Sequence, residues 1–153
     1  ATDTPLTAGD VLMLDTGAVH DGYFCDYDRN YSVGHTTHAQ RDGHTRLMEA
    51  THAGLDAARP GAKASDVWKA MADIVGGGEG AGRLGHGLGM QLTEGLSLTS
   101  KDHTKLQAGM VITLEPGTET APGVIMVHEE NILITDGMPR LLSPMAAAEL
   151  TVI

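Results

Sequence analysis

Val11 to Leu14 is a short apolar run, Asp21-Gly22 is a favoured two-residue hairpin turn, and Tyr23 to Val33 supplies a return strand. This pattern predicts a β-hairpin over residues 5–34. From about Thr37 to Arg59 the apolar spacing lengthens. Leu47, Met48, Ala50, Leu55 and Ala58 fall near a helical period, and Pro60-Gly61 stops the helix. Gly43 and Gly54 weaken that pattern. Ser65 is the expected N-cap of a second helix, Val67, Trp68, Met71, Ile74 and Val75 its apolar stripe, and Gly76-Gly77-Gly78 its end. Trp68 and the methionines read as core packing. Residues 106–117 and 124–135 read as two more strands, and after Gly137 the chain reads as loop or a short tail.

Two of these strand units repeat. Residues 6–17 are LTAGDVLMLDTG and residues 106–117 are LQAGMVITLEPG, with six identities in twelve positions and Asp15 falling on Glu115. An apolar strand after a glycine turn is a common pattern, but an acid matched to an acid at the strand end points to two pseudo-equivalent units. Each unit has a further acid on its next strand. With Asp21-Gly22 as the turn, residue 20 pairs with 23 and 17 with 26. Asp15, Gly17, Asp26 and Asp28 then share one face, and Gly17 leaves room opposite Asp26. In the second unit Glu129 and Glu130 are adjacent and point to opposite faces, so only one of them can join Glu115.

Charge makes this arrangement informative. The chain has 153 residues, one domain's worth, and a net charge of −10, which disfavours nucleic acid as a partner. It has no apolar run long enough to span a membrane. The opening ATDTPLTAGD lacks the features of a signal peptide. The single cysteine, Cys25, excludes an internal disulfide, reads as a small buried residue and fits a reducing, cytoplasmic setting. Most of the carboxylates read as solvated surface. Asp15, Asp26, Glu115 and one of Glu129 and Glu130 on one face are different, because like charges repel and desolvation adds to the cost. Arg29 is the sole cationic candidate in the first hairpin. Two divalent metals would neutralise such a cluster, and carboxylates with one histidine suit Mn, Fe, Co or Zn. GHGLGMQLTE, residues 85–94, contains that histidine, His86, although this stretch alone does not distinguish a ligand from a histidine in a tight turn.

The segment LDTGAVHDGYFCDYDRN resembles the Asp-x-Gly … Gly-Tyr … Asp-x-x-Arg segment of the pita-bread metallopeptidases, the methionine aminopeptidase, aminopeptidase P and prolidase relatives. GHGLG resembles their histidine motif, GMVITLEPG their first glutamate motif and HEENILIT their last. The motifs occur in the family's order and cover nearly the whole chain. The resemblance implies an α+β pita-bread fold, a mostly antiparallel curved sheet with flanking helices. It implies that residues 1–153 form a single catalytic domain, or rather its C-terminal portion, since Asp15 comes almost at once. It also implies a dinuclear centre with Asp15, Asp26, His86, Glu115 and Glu129 as ligands. Asp26 and Glu129 would bridge the two divalent metals, Mn foremost with Co, Fe or Zn tolerated. Asp15 would hold one ion, and His86 and Glu115 mainly the other. Glu115 would also shuttle a proton. A homodimer is usual for prolidase-like relatives.

The sequence departs from the family pattern in two further places. The family's second histidine, seven residues after the ligand histidine and close to substrate, is replaced by Thr93, whose hydroxyl cannot become cationic. His103 is a substitute candidate; His128 is a weaker one, expected on the face opposite Glu129. The arginine two residues before the last glutamate is Val127. The implied function is hydrolysis of an amide C–N bond, with an Xaa-Pro peptide as the default substrate. Thr93 keeps a non-peptide amide open, as in creatinase- or ectoine-hydrolase-like relatives, and a lyase on the same scaffold. A peptide-binding module without catalysis is the alternative from another class; relatives of that type have generally lost their ligands, and this sequence keeps all five.

Overall fold

The computed structural model describes residues 3–76 and 78–153, so Gly77 of the expected glycine stop lies outside it. The first hairpin forms in the expected register. Strands β1 (Val11–His20) and β2 (Tyr23–Ser32) pair antiparallel, with His20 opposite Tyr23 and Gly17 opposite Asp26. Asp21 and Gly22 both take positive φ, 50° and 85°, as a primed hairpin turn requires. Cys25 on β2 is half-buried, not fully enclosed.

Helix α1 (His38–Ala57) begins with a capping box. Thr37 Oγ1 accepts the Gln40 N–H, and the Gln40 side chain accepts the Thr37 N–H at 2.8 Å. Gly54, unfavourable for an isolated helix, is needed for packing: a Cβ there would crowd Met71 and Leu114. Helix α2 (Ala64–Val75) is capped at Lys63, not at Ser65. Asp66 accepts the Lys63 N–H at 3.1 Å, and Ser65, already inside the helix, bonds His103 Nδ1 at 3.2 Å instead. A short 3₁₀ turn covers Gly78–Ala81.

The rest of the chain is short strands: β3 (His86–Gly87), β4 (Glu94–Ser97), β5 (Val111–Leu114), β6 (Gly117–Ala121), β7 (Val124–Val127), β8 (Glu130–Leu133), β9 (Arg140–Leu141) and β10 (Thr151–Val152). The single strands expected at 106–117 and 124–135 are each cut short. Pro116 has no N–H to continue a ladder, and beyond it β6 pairs with β7 as a separate hairpin. The strand expected at 124–135 changes sheets at His128 and Glu129, and β8 returns to β5. One sheet has the order β1-β2-β10 and a second β4-β3-β5-β8-β9. The stretch after Gly137 is therefore not a free tail. It closes one sheet through β9, and the other through β10, which runs parallel to β2.

The core lies between the two helices and the five-stranded sheet. Val67, Trp68 and Met71 of α2 pack with Leu98, Ile112, Leu114 and Ile132. Trp68 is core, as its position on the apolar stripe predicts, and its Nε1 donates to the Gly82 carbonyl at 2.8 Å. No helix among the described residues is long and apolar enough to cross a membrane.

Candidate metal centre

The β1–β2 register sets one half of the site. Asp15 stands opposite Asp28 and Gly17 opposite Asp26, so alternation puts all three aspartates on one face. Asn131 on β8 holds Asp26 by its backbone. Its Oδ1 accepts the Asp26 N–H at 3.1 Å, and its Nδ2 donates to the Asp26 carbonyl.

His86 comes from β3, which lies between β4 and β5. This answers why glycines flank it. Gly85 has φ 140° and a Cβ there would collide with the Thr113 carbonyl; a Cβ on Gly87 would collide with the Glu94 carbonyl. The His86 N–H donates to Thr113 Oγ1 at 3.1 Å. Its Nδ1 lies 3.0 Å from its neighbour's carbonyl, Gly87 O. A carbonyl only accepts, so Nδ1 carries the proton and Nε2 presents a lone pair. That Nε2 is 3.7 Å from Asp26 Oδ2 and 3.8 Å from Glu129 Oε1, too far for hydrogen bonds.

The second half supplies Glu115, just past β5, and Glu129, at the crossing from β7 to β8. Ligating atoms of Asp26, His86 and Glu129 lie within 4.8 Å of one another, and so do those of Asp28, Glu115 and Glu129. Four of the five expected ligands thus converge on two groups that share Glu129. Asp15 enters neither group and is exposed, although its charge acts on both Asp26 and Asp28.

Burial, then mutual repulsion, governs the electrostatics. Glu129 is only 2% exposed; desolvation, followed by the charges of Glu115, Asp26 and Asp28, pushes its carboxyl up to about 9. Asp28 is 3% exposed and is pushed up to about 7 by burial and by Asp15, Glu115 and Asp26. Burial also raises Asp26 and Glu115. Arg29 relieves this charge only in part: it lowers Asp28, but burial and the neighbouring acids outweigh it. It bonds the carbonyls of Asp28 and Glu129 and pairs with Glu130 Oε1 at 3.1 Å. The cation beside the cluster is Arg83, 3.7 Å from Glu115 and half-exposed. Glu129 Oε1, Glu115 Oε2 and Asp28 Oδ1 are buried without a hydrogen-bond partner. Converging orphan oxygens with one imidazole lone pair are a donor set that divalent cations fit.

Glu130 faces the other way, as adjacency to Glu129 predicts. Burial works against its ionisation, but His128, the Ala146 N–H and Arg29 outweigh that and hold its carboxyl below the usual range. His128 Nε2 lies 3.1 Å from Glu130 Oε1, and His103 is bonded to Ser65, so neither histidine enters the two ligand groups. Thr93 is exposed in the turn before β4. Sequence reasoning missed Thr113, whose hydroxyl serves both His86 and Glu129, and also Asn131 and Arg83. Strand alternation from Glu129 could have found Asn131; nothing local marks the other two.

A model of metallopeptidase family M24 matches residues 1–136. The Xaa-Pro dipeptidase of Pyrococcus furiosus is 33% identical over 146 residues, which is 92% of this chain and 42% of that protein. Among solved structures, dipeptidase PepE from Mycobacterium ulcerans superposes with a TM-score of 0.90 at 29% identity, covering 99% of this chain and 42% of that one. Recombinant prolidase from Thermococcus sibiricus gives 0.91 at 25%, with the same coverage. The chain thus spans less than half the length of these relatives. With the family model matching most of its length, and with the prolidases' pita-bread fold, this chain belongs to metallopeptidase family M24.

Proposed function

We propose that the protein is, or is the catalytic part of, a hydrolase that cleaves the amide C–N bond of Xaa-Pro dipeptides with two divalent metal ions, Mn²⁺ foremost. The observation that carries this reading is the convergence of Asp26, His86, Glu115 and Glu129 with buried oxygens that have no partner. Asp15, at the open side of the cluster, completes the ligand set. When bound, the ions neutralise the carboxylates, activate water and polarise the substrate carbonyl. The chain's own groups do the rest. Thr113 holds the His86 backbone, and the Gly87 carbonyl fixes its imidazole with Nε2 facing the cluster. Glu115 is partly open, and burial raises its affinity for a proton, so it can take one from water and pass it to the leaving amine. Thr93, exposed just before β4, would offer substrate a hydroxyl.

Elemental analysis of protein purified without chelator and reloaded with Mn²⁺ tests the proposal. About two ions per chain are expected, with release of proline from Xaa-Pro dipeptides. Glu115→Gln should lower that rate about 10²- to 10⁴-fold. A chain that takes up no metal under these conditions would refute the reading and favour a peptide-binding module. Thr93, with no histidine replacing it in the two ligand groups, favours one second reading, a non-peptide amide substrate. That reading gains if the loaded protein opens cyclic amides and leaves Xaa-Pro intact.

A further inference from the structure

Two positions where the family pattern carries a cationic side chain, a second histidine and an arginine, hold Thr93 and Val127 in this chain. Thr93 is exposed and neutral, and Val127 is apolar and pairs with Gly117. His103 and His128 are engaged elsewhere, with Ser65 and Glu130. A cation nevertheless stands at the cluster. The Arg83 guanidinium lies 3.7 Å from Glu115 Oε2 and is 43% exposed. Its charge reaches Asp26 as well. The Glu115 side chain is 26% exposed and that of Glu129 only 2%, so Arg83 sits where the cluster meets solvent.

Arg83 differs from the other arginines in what it holds. Arg29, Arg41 and Arg59 each donate to protein carbonyls. At 3.7 Å Arg83 is beyond hydrogen-bond reach of Glu115, and among the described residues its N–H groups have no acceptor. Its base is fixed all the same. The next residue, Leu84, is buried in the core, donates its N–H to the Leu98 carbonyl at 2.9 Å and accepts the Glu115 N–H at 2.9 Å. The backbone beside Arg83 is thus tied to the backbone of Glu115, while the fork of donors at its tip is free. A guanidinium in that state fits a carboxylate, which it can bind through two parallel hydrogen bonds.

From this geometry we infer that Arg83 binds the free carboxylate of the residue that follows the scissile bond, and so restricts the site to dipeptides. The inference rests on the hydrolase reading above, in which Glu115 works beside the reacting carbon. In an Xaa-Pro dipeptide that carboxylate is three bonds from the same carbon, so its oxygens lie within about 4–5 Å of it. A longer peptide would present a neutral amide there, and Arg83 would lose its partner.

Arg83→Met removes a half-exposed side chain that makes no hydrogen bond, so the fold should persist. Wild type loaded with Mn²⁺ should cleave Ala-Pro with a kcat/KM about 10- to 100-fold above that for Ala-Pro amide, mainly through KM. In Arg83→Met that ratio should fall to about one, and Arg83→Lys should keep part of it. Calorimetry reads the same contact without turnover. On wild type incubated with Mn²⁺, L-proline should bind about 10- to 100-fold tighter than L-prolinamide, and Arg83→Met should lose the difference. Proline preference in a protein that cleaves no Xaa-Pro bond would refute the hydrolase reading and leave the carboxylate contact standing. Cleavage by wild type without preference for the free acid, in rate or in binding, would overturn the inference and leave the hydrolase reading intact. A preference that survives in Arg83→Met, with both substrates slowed alike, would also overturn it and leave Arg83 only the task of neutralising Glu115.

Discussion

Glu129 binds its proton far more tightly in the folded chain than an exposed glutamate does, and this has a consequence that can be measured without substrate. Its carboxyl rises from 4.5 to about 9, and that of Asp28 from 3.8 to about 7. Between those values the folded state holds protons that the unfolded state has released. Stability of the cation-free protein therefore falls as pH rises through this window, by at most about 1.4 kcal/mol per pH unit for each proton concerned. Glu130 works in the opposite sense. Its depressed carboxyl stabilises the fold above the ordinary glutamate range and stops doing so on acidification. Chelator-treated protein should thus melt highest near pH 5 and progressively lower towards pH 9. Loading with Mn²⁺ should flatten or reverse that trend, because cations replace the protons. A melting temperature that stays flat from pH 5 to 9 in chelator would count against the burial and crowding of these acids.

The elements differ in how far their own residues foretell them. The first hairpin is legible because Asp21-Gly22 fixes its register, and that register alone places Asp15, Asp26 and Asp28 together. The start of α1 is legible because Thr37 and Gln40 are local partners. Strand β3 is less so: two residues carry no period, and the need for glycine at Gly85 appears only once Thr113 and Leu98 lie against it. Gly85→Ala should therefore destabilise the protein by about 3 kcal/mol, as measured by denaturant unfolding, through positive φ and collision with the Thr113 carbonyl. A loss below about 0.5 kcal/mol would show that β3 is not wedged as described. The same limit explains the features that were missed. Asn131 and Asp26 are 105 residues apart, and Thr113 reaches His86 across 27. The closing strands β9 and β10 are two residues each, recognisable only by what they pair with. Pro116 could have marked the end of β5, which the sequence reading carried on to residue 117, but the crossing at His128 and Glu129 depends on two sheets competing for one chain.

Across the whole molecule the candidate ligands are divided between the two strand units, Asp15 and Asp26 on the first hairpin and Glu115 and Glu129 on the second unit, with His86 supplied by β3 beside the second. Without cations the halves are joined near the site by side-chain bonds to backbone, those of Asn30, Arg29 and Asn131. Across the same seam the carboxylates repel. The outward residues of β1 are largely exposed, so little burial holds that strand on its far side. Bound cations would turn the repulsive seam into a cross-link, and by linkage would stabilise the fold by about 2.7 kcal/mol at a hundredfold excess over Kd. The gain should be uneven. Hydrogen exchange followed by mass spectrometry should show Mn²⁺ slowing exchange most in β1 and β2, which reach the rest of the site through this seam. Helix α2, packed in the core away from the seam, should change least. Uniform protection over hairpin and helix would mean that the two halves already unfold as one unit without cations. No protection in the hairpin, in protein shown to have bound metal, would mean that the first-half aspartates do not hold it.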